Sequence, residues 1–153
     1  MSFEHDVAKT VSLENAYRRG LEALRNRDRA KITTERPRKL AGSAHIDAAL
    51  GRRFPNEARW DYAIAWGVDK RSEEIHWVEV HPASRIATIG EVSAKLSWLK
   101  RWLKGEGSRL DRYKRGFIWI ASGKSGFQQN SPQLKTLGLA GIYFAGGHYT
   151  IAG

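Results

Sequence analysis

Apolar and polar residues alternate through Trp60-Asp61-Tyr62-Ala63-Ile64 and again through Trp77-Val78-Glu79-Val80-His81, the two-residue period of a β-strand. The pattern predicts a strand over Arg59–Trp66, a hairpin loop over Gly67–Glu73 and a partner strand over Glu74–Val80. Pro82 has no N–H to give to a ladder, so the partner strand is expected to stop near His81. From Ile89 to Lys104 the period becomes helical. Val92, Leu96, Leu99 and Leu103 form an apolar stripe flanked by Trp98 and Trp102, and Gly105 and Gly107 end it. The unbroken run Phe117-Ile118-Trp119-Ile120, inside Gly116–Ala121, predicts a strand buried on both faces.

Weaker patterns fill the remainder. Leu13, Tyr17, Leu21 and Leu24 recur at helical spacing behind Ser12, which predicts a first helix over Val11–Arg29 with Arg18, Arg19, Arg25, Arg27 and Arg29 on its other side. Ala30–Gly42 reads as a basic connector interrupted by Pro37, and Gly51–Glu57 as a turn. Ser43–Leu50 fits either a strand or a short helical turn. Gly123–Pro132 is a glycine- and glutamine-rich loop, Gln133–Leu137 a helical turn, and Gly141–Ile151 a last strand. The order helix, strand, strand, strand, helix, strand, short helix, strand predicts an α/β fold, a mixed sheet with helices on its faces in a single domain over residues 1–153.

Composition narrows the chemistry. The 153 residues hold 26 Lys plus Arg against 16 Asp plus Glu, a formal net charge of +10 that favours an anionic partner, nucleic acid first. The absence of cysteine excludes disulfides, thiolate catalysis and Cys-ligated zinc. No run of about 18 apolar residues is present, so no membrane span is expected. The polar start Met1-Ser2-Phe3-Glu4-His5-Asp6 has no apolar stretch behind it, so no signal peptide is expected and the cytoplasm is the default compartment.

An ionised carboxylate inside a sheet is costly unless it meets a cation or a hydrogen-bond donor. Asp61 and Glu79 sit on the two strands of the expected hairpin, and antiparallel pairing would let them meet on one face near the sheet end. Two carboxylates and the Val80 carbonyl would suit Mg²⁺ acting on a scissile phosphate and its attacking water, and His81 could bind a softer metal such as Mn²⁺. The competing expectation is ordinary rim pairing, Asp61 with Arg59 or Arg85 and Glu79 with a lysine. Arg36, Arg38, Lys39, Arg52 and Arg53 precede the acids, while Lys100, Arg101, Lys104, Arg109, Arg112, Lys114 and Arg115 follow the long helix. On one surface they would grip several phosphates. Lys124, in Gly123-Lys124-Ser125-Gly126, and Gln128-Gln129-Asn130 would add donors.

Other chemistries find no support. Ile118 stands where a P-loop requires its first glycine, no Gly-x-Ser-x-Gly elbow occurs, and the histidines show no His-x₃-His pair.

The element order, with Asp61 on one strand and Glu79-Val80-His81 on the next, resembles the PD-(D/E)XK superfamily of restriction-endonuclease-like nucleases, which share an αβββαβ core. The resemblance spans roughly residues 11–151. It implies a metal-dependent phosphodiester hydrolase with Asp61 and Glu79 as metal ligands. Two departures stand out: Trp60 occupies the place of the motif's proline, and His81 that of its lysine. His81 could serve as the base, or Lys95, beside the apolar stripe of the long helix, could supply the cation. Asp47 is a candidate third acid, and Glu14 and Glu22 could face the site from the first helix; His148, after two glycines, reads as a surface residue. The alternative implied by His81 is a fold that has lost its chemistry and binds nucleic acid or protein. A homodimer is compatible with either reading.

Overall fold

The computed structural model of the chain describes residues 2–126 and 131–151. In chain order the elements are α1 (Phe3–Ala8), β1 (Tyr17–Arg18), α2 (Asn26–Arg29), β2 (Ile32–Thr34), β3 (Leu40–His45), α3 (Ile46–Leu50), β4 (Tyr62–Gly67), β5 (Glu73–Pro82), α4 (Ala87–Lys104), α5 (Ser108–Asp111), β6 (Lys114–Ser122), α6 (Pro132–Leu139), β7 (Ile142–Phe144) and β8 (Tyr149–Ile151). A 3-10 turn over Pro37–Lys39 precedes β3. The result is a mixed α/β domain on a six-stranded sheet of order β1-β3-β4-β5-β6-β7, with β2 and β8 as a separate two-stranded ribbon.

β3, β4 and β5 form an antiparallel meander. The chain then crosses through α4 and returns as β6 parallel to β5, and α6 brings β7 parallel to β6. The strand period sorts side chains between two apolar clusters. Ala63, Ala65, Ile75, Trp77, Phe117 and Trp119 face the layer containing α4, whose Val92, Leu96, Leu99 and Leu103 pack against them. Tyr62, Ile64, Trp66, Val78, Ile118 and Ile120 face the opposite side, covered by Leu24, Ile32 and Ile151. The continuous apolar reading of Phe117–Ile120 follows from this double coverage. Trp98 and Trp102, one helical turn apart, stack at 6.1 Å between ring centroids, and Trp102 meets Trp77 edge-on at 6.3 Å.

Four expectations are revised. No helix spans Val11–Arg29; Ser12 adopts φ 70° and Gly20 φ 51°, and Tyr17–Arg18 instead pair with Ala44 and Ser43 as an edge strand. Leu13 enters the α4-side cluster and Leu24 the opposite one, so their helical spacing does not mark one face. Ser43–Leu50 is both of its alternatives in succession, the end of β3 and then α3. β5 continues through His81 to Pro82, whose missing N–H is tolerated at the strand terminus opposite Ser122. Gly141–Ile151 splits into β7 and β8, and β8 leaves the main sheet for β2. The loop residues Gln128, Gln129 and Asn130 lie outside the described residues.

One glycine is required by geometry. At Gly42, φ is 128° beside an irregular register in β3, and a Cβ there would strike the Tyr17 ring, whose hydroxyl donates to Ala41 O at 3.0 Å.

Candidate functional site

Strand register assembles the site. Tyr62 opens β4 paired with Val78 on one side and His45 on the other, so Asp61, one residue earlier, lies at the ends of three strands. Its N–H donates to Glu79 Oε1 at 3.1 Å, and the Val80 N–H donates to Asp61 Oδ2 at 2.9 Å. The two acids thus clasp each other's main chain across the β4–β5 pair. On the third side the Asp61 carbonyl accepts from the N–H groups of Ile46 at 2.8 Å and Asp47 at 3.3 Å, tying the strand to the first turn of α3.

Glu79 is fully buried. Lys95, reaching down from α4, places Nζ 2.7 Å from Glu79 Oε2, an ion pair off the ideal hydrogen-bond direction. His81 Nδ1 lies 3.5 Å from the same oxygen, and His81 Nε2 lies 3.0 Å from Glu91 Oε2. The main-chain oxygen of His81 accepts from Trp119 Nε1 at 3.0 Å.

Charge is unevenly settled here. Burial pushes the Asp61 carboxyl up to about 7, and the neighbouring Glu79 charge adds to it against the pull of Lys95 and the Val80 N–H. For Lys95, burial acts to lower the pKa, but Glu79 and Asp61 outweigh it, so the ammonium is held above its ordinary value. The hydrogen bond to Glu79 raises His81, with burial opposing and Glu91 reinforcing the rise. His81 is therefore biased toward imidazolium, which makes it a better donor than a base.

Asp61 and Val80 open onto a cleft of about 530 Å³. Its other walls include Arg25, Arg27, Lys31, His45, Asp47 and Gly123. The basic rim thus comes from the run Arg25-Asn26-Arg27-Asp28-Arg29-Ala30-Lys31, whose clustered charge is visible in the sequence without its destination. The candidate contacts Arg36, Arg38, Arg52, Arg53, Lys100, Lys104 and Lys124 are exposed and Lys39 is half-buried, and none of them lines this cleft. Several are locally engaged: Arg53 with Glu106 at 2.5 Å, Lys104 with Asp111 at 3.2 Å, and Lys100 Nζ with Ala140 O at 3.3 Å. Lys124 follows Gly123, which does line it.

Asp47, the candidate third acid, does reach Asp61. His45 Nδ1 or Nε2, an Asp47 oxygen and an Asp61 oxygen lie within 4.8 Å of one another. Burial and the Arg25 charge lower the His45 pKa, favouring the neutral imidazole that a metal needs. Arg59 pairs with Asp47, Nε to Oδ1 at 3.0 Å, rather than with Asp61. One imidazole and two carboxylates are a donor set that fits a divalent ion. Glu14 and Glu22 line an adjoining depression of about 420 Å³ that also touches His45, and exposed His148 sits apart, against Thr33 Oγ1 at 2.6 Å. Among the described residues, no helix is long and apolar enough to cross a membrane.

No family model, curated protein or solved structure matches this chain.

Proposed function

We propose that the chain binds nucleic acid across the cleft at Asp61 and hydrolyses phosphodiester bonds there with Mg²⁺ or Mn²⁺, as a divergent restriction-endonuclease-like protein. The observation that carries the reading is the position of Asp61, a half-buried acid without an ion-paired cation among the described residues, on the wall of a cleft rimmed by Arg25, Arg27 and Lys31. Two features support the family resemblance. The meander β3-β4-β5, the α4 crossover and the parallel β6 follow the βββαβ order, with Asp61 immediately before its second strand and Glu79-Val80-His81 on its third. The short α1, in place of a long first helix, is a departure.

In this reading a divalent ion bound at Asp61 supplies charge for the phosphate and a more acidic water. The protein supplies the rest. The arginines and Lys31 bind backbone phosphates, which orients a strand along the cleft. Glu79 anchors Lys95, and Lys95 keeps its proton at Nζ and presents a fixed positive charge beside Asp61. His81, held between Glu79 and Glu91, stays a donor at the strand end.

A second reading, a catalytically silent binding module, is favoured by the same clasp. Glu79 Oε1 is taken by the Asp61 N–H and Oε2 is against Lys95, so Glu79 already has a structural role. The test is a salt series of binding to labelled DNA and RNA, followed by cleavage with Mg²⁺ and Mn²⁺. Cleavage by the wild type that is abolished in Asp61→Asn with binding retained is the expected result. Tight, salt-steep binding without cleavage would establish the silent module, and no binding at low salt would remove both.

A further inference from the structure

We propose that His45, Asp47 and Asp61 form a single site for a divalent transition-metal ion, with Mn²⁺ as the probe and with Glu79 outside the ligand set. This deepens the reading above and shares Asp61 with it, but the ligand set stands whether or not a phosphodiester is cut.

Two parts of the chain converge here because of register, the β3–α3 junction and the residue that precedes β4. His45 ends β3 opposite Tyr62, Asp47 lies in the first turn of α3, and Asp61 immediately precedes Tyr62. The hydrogen bonds from Ile46 and Asp47 N–H to the Asp61 carbonyl hold the backbones together. Their donor atoms fall within 4.8 Å of one another, from where side-chain rotation brings them to the tighter spacing set by ligands about 2.0–2.2 Å from a common ion.

Each side chain is held by one partner and keeps another atom available. Asp47 Oδ1 accepts from Arg59 Nε at 3.0 Å, and that guanidinium is itself fixed by Nη1 donating to Phe54 O at 2.6 Å, which leaves Oδ2. Asp61 Oδ2 accepts from the Val80 N–H, which leaves Oδ1. The His45 ring lies against Tyr62 at 4.6 Å between centroids, and no hydrogen bond from the described residues occupies its nitrogens. Supporting contacts of this kind orient ligands at metal centres.

Glu79 is arranged differently. An ammonium 2.7 Å from Oε2 and an N–H on Oε1 leave a dication no room to bind without displacing Lys95. The imidazole also sets selectivity, since Mg²⁺ prefers an all-oxygen shell whereas Mn²⁺ accepts nitrogen. Arg25, Arg27 and Lys31 line the same cleft with one further acid, Asp28, which accepts from Tyr62 Oη at 2.6 Å, so the rim beside the ion carries more cations than anions for an anionic ligand.

The test is Mn²⁺ titration of the full chain, followed by calorimetry and by electron paramagnetic resonance for nitrogen coupling. Saturable binding with nitrogen coupling, at least about tenfold tighter than Mg²⁺, is expected. His45→Gln should remove the coupling and weaken Mn²⁺ about tenfold or more, Asp47→Asn should weaken it similarly with the coupling kept, and Glu79→Gln should keep both saturable binding and the coupling. Circular dichroism confirms that each variant is folded, and the coupling in the wild type alone tests the imidazole if a variant is not. Binding abolished in Glu79→Gln and kept in His45→Gln would overturn the assignment in favour of an Asp61–Glu79 pair. No Mn²⁺ binding by the wild type would overturn the site altogether. Binding of Mn²⁺ without cleavage of any nucleic acid would leave the site standing and reject the hydrolase reading.

Discussion

Asp6 and Asp61 are both acids drawn back from bulk water, yet their surroundings differ in kind. Asp6, 1% exposed on α1, meets Tyr113 Oη at 2.5 Å, Arg112 Nη2 at 3.3 Å and Arg109 Nη1 at 3.6 Å. Burial and the Asp6 carboxylate together push the Tyr113 phenol well above its ordinary value, so the phenol stays a donor. That corner joins α1 to the segment around α5 and is complete in itself. Asp61, half-buried, meets main-chain N–H groups, a second acid and an imidazole, and it faces a cleft. A buried acid is therefore not by itself a functional signal; an acid whose charge the fold leaves unbalanced is the better one.

The comparison is most sharply broken by mutation of Asp6. Asp6→Ala should lower the unfolding free energy by about 1–3 kcal/mol in chemical denaturation, because it strands the buried Tyr113 phenol, and it should leave Mn²⁺ affinity unchanged. A decrease under about 1 kcal/mol, or any change in metal binding, would mean that the two acids are not distinct in role.

Asp61→Asn should act in the opposite direction in metal-free buffer. The folded carboxyl titrates near 7, above its ordinary value near 3.8, so the folded state holds the proton longer and stability falls as pH rises through that window. Asn cannot ionise and still accepts from the Val80 N–H. The variant should be more stable than wild type by about 1–3 kcal/mol at pH 8, with the difference vanishing near pH 4. Equal stability at both pH values would show that the wild-type acid is not strained by its charge.

Smaller effects separate the cleft from the outer surface. Arg25→Ala with Arg27→Ala should flatten the slope of log affinity for nucleic acid against log salt by about 0.7–0.9 for each phosphate left without its arginine. Arg53→Ala, in the exposed pair with Glu106, should change neither that slope nor stability measurably. A larger effect at Arg53 than in the cleft would move the binding face to the turn after α3, where Arg53 meets Glu106.

Legibility followed coverage. β4, β5, β6 and α4 could be read from the chain because each buries a face whose period survives in the sequence, as at Tyr62/Ile64/Trp66 against Ala63/Ala65. The Asp61–Glu79 meeting was readable for the same reason, since antiparallel strands of known phase place their acids. Val11–Arg29 misled because Leu13 and Leu24 serve opposite sides of one sheet, and a helical count cannot register a chain passing round a sheet edge. His45 was missed because its importance depends on pairing with Tyr62, a neighbour 17 positions along the chain whose approach leaves no local mark.

Periodicity and composition alone settled a mixed α/β domain, an absence of thiol chemistry, an excess of positive charge, and two acids on adjoining strands, because these follow from residue type and local phase. Tertiary structure alone decided that Lys95 takes Glu79, that Arg25, Arg27 and Lys31 rim the cleft rather than the basic residues of the long helix, and that His45 and Asp47 join Asp61. Those outcomes depend on strand register and on how α4 lies across the sheet, which set distances of a few ångströms between residues far apart in the chain. Local sequence constrains only neighbours, so such distances are not written in it.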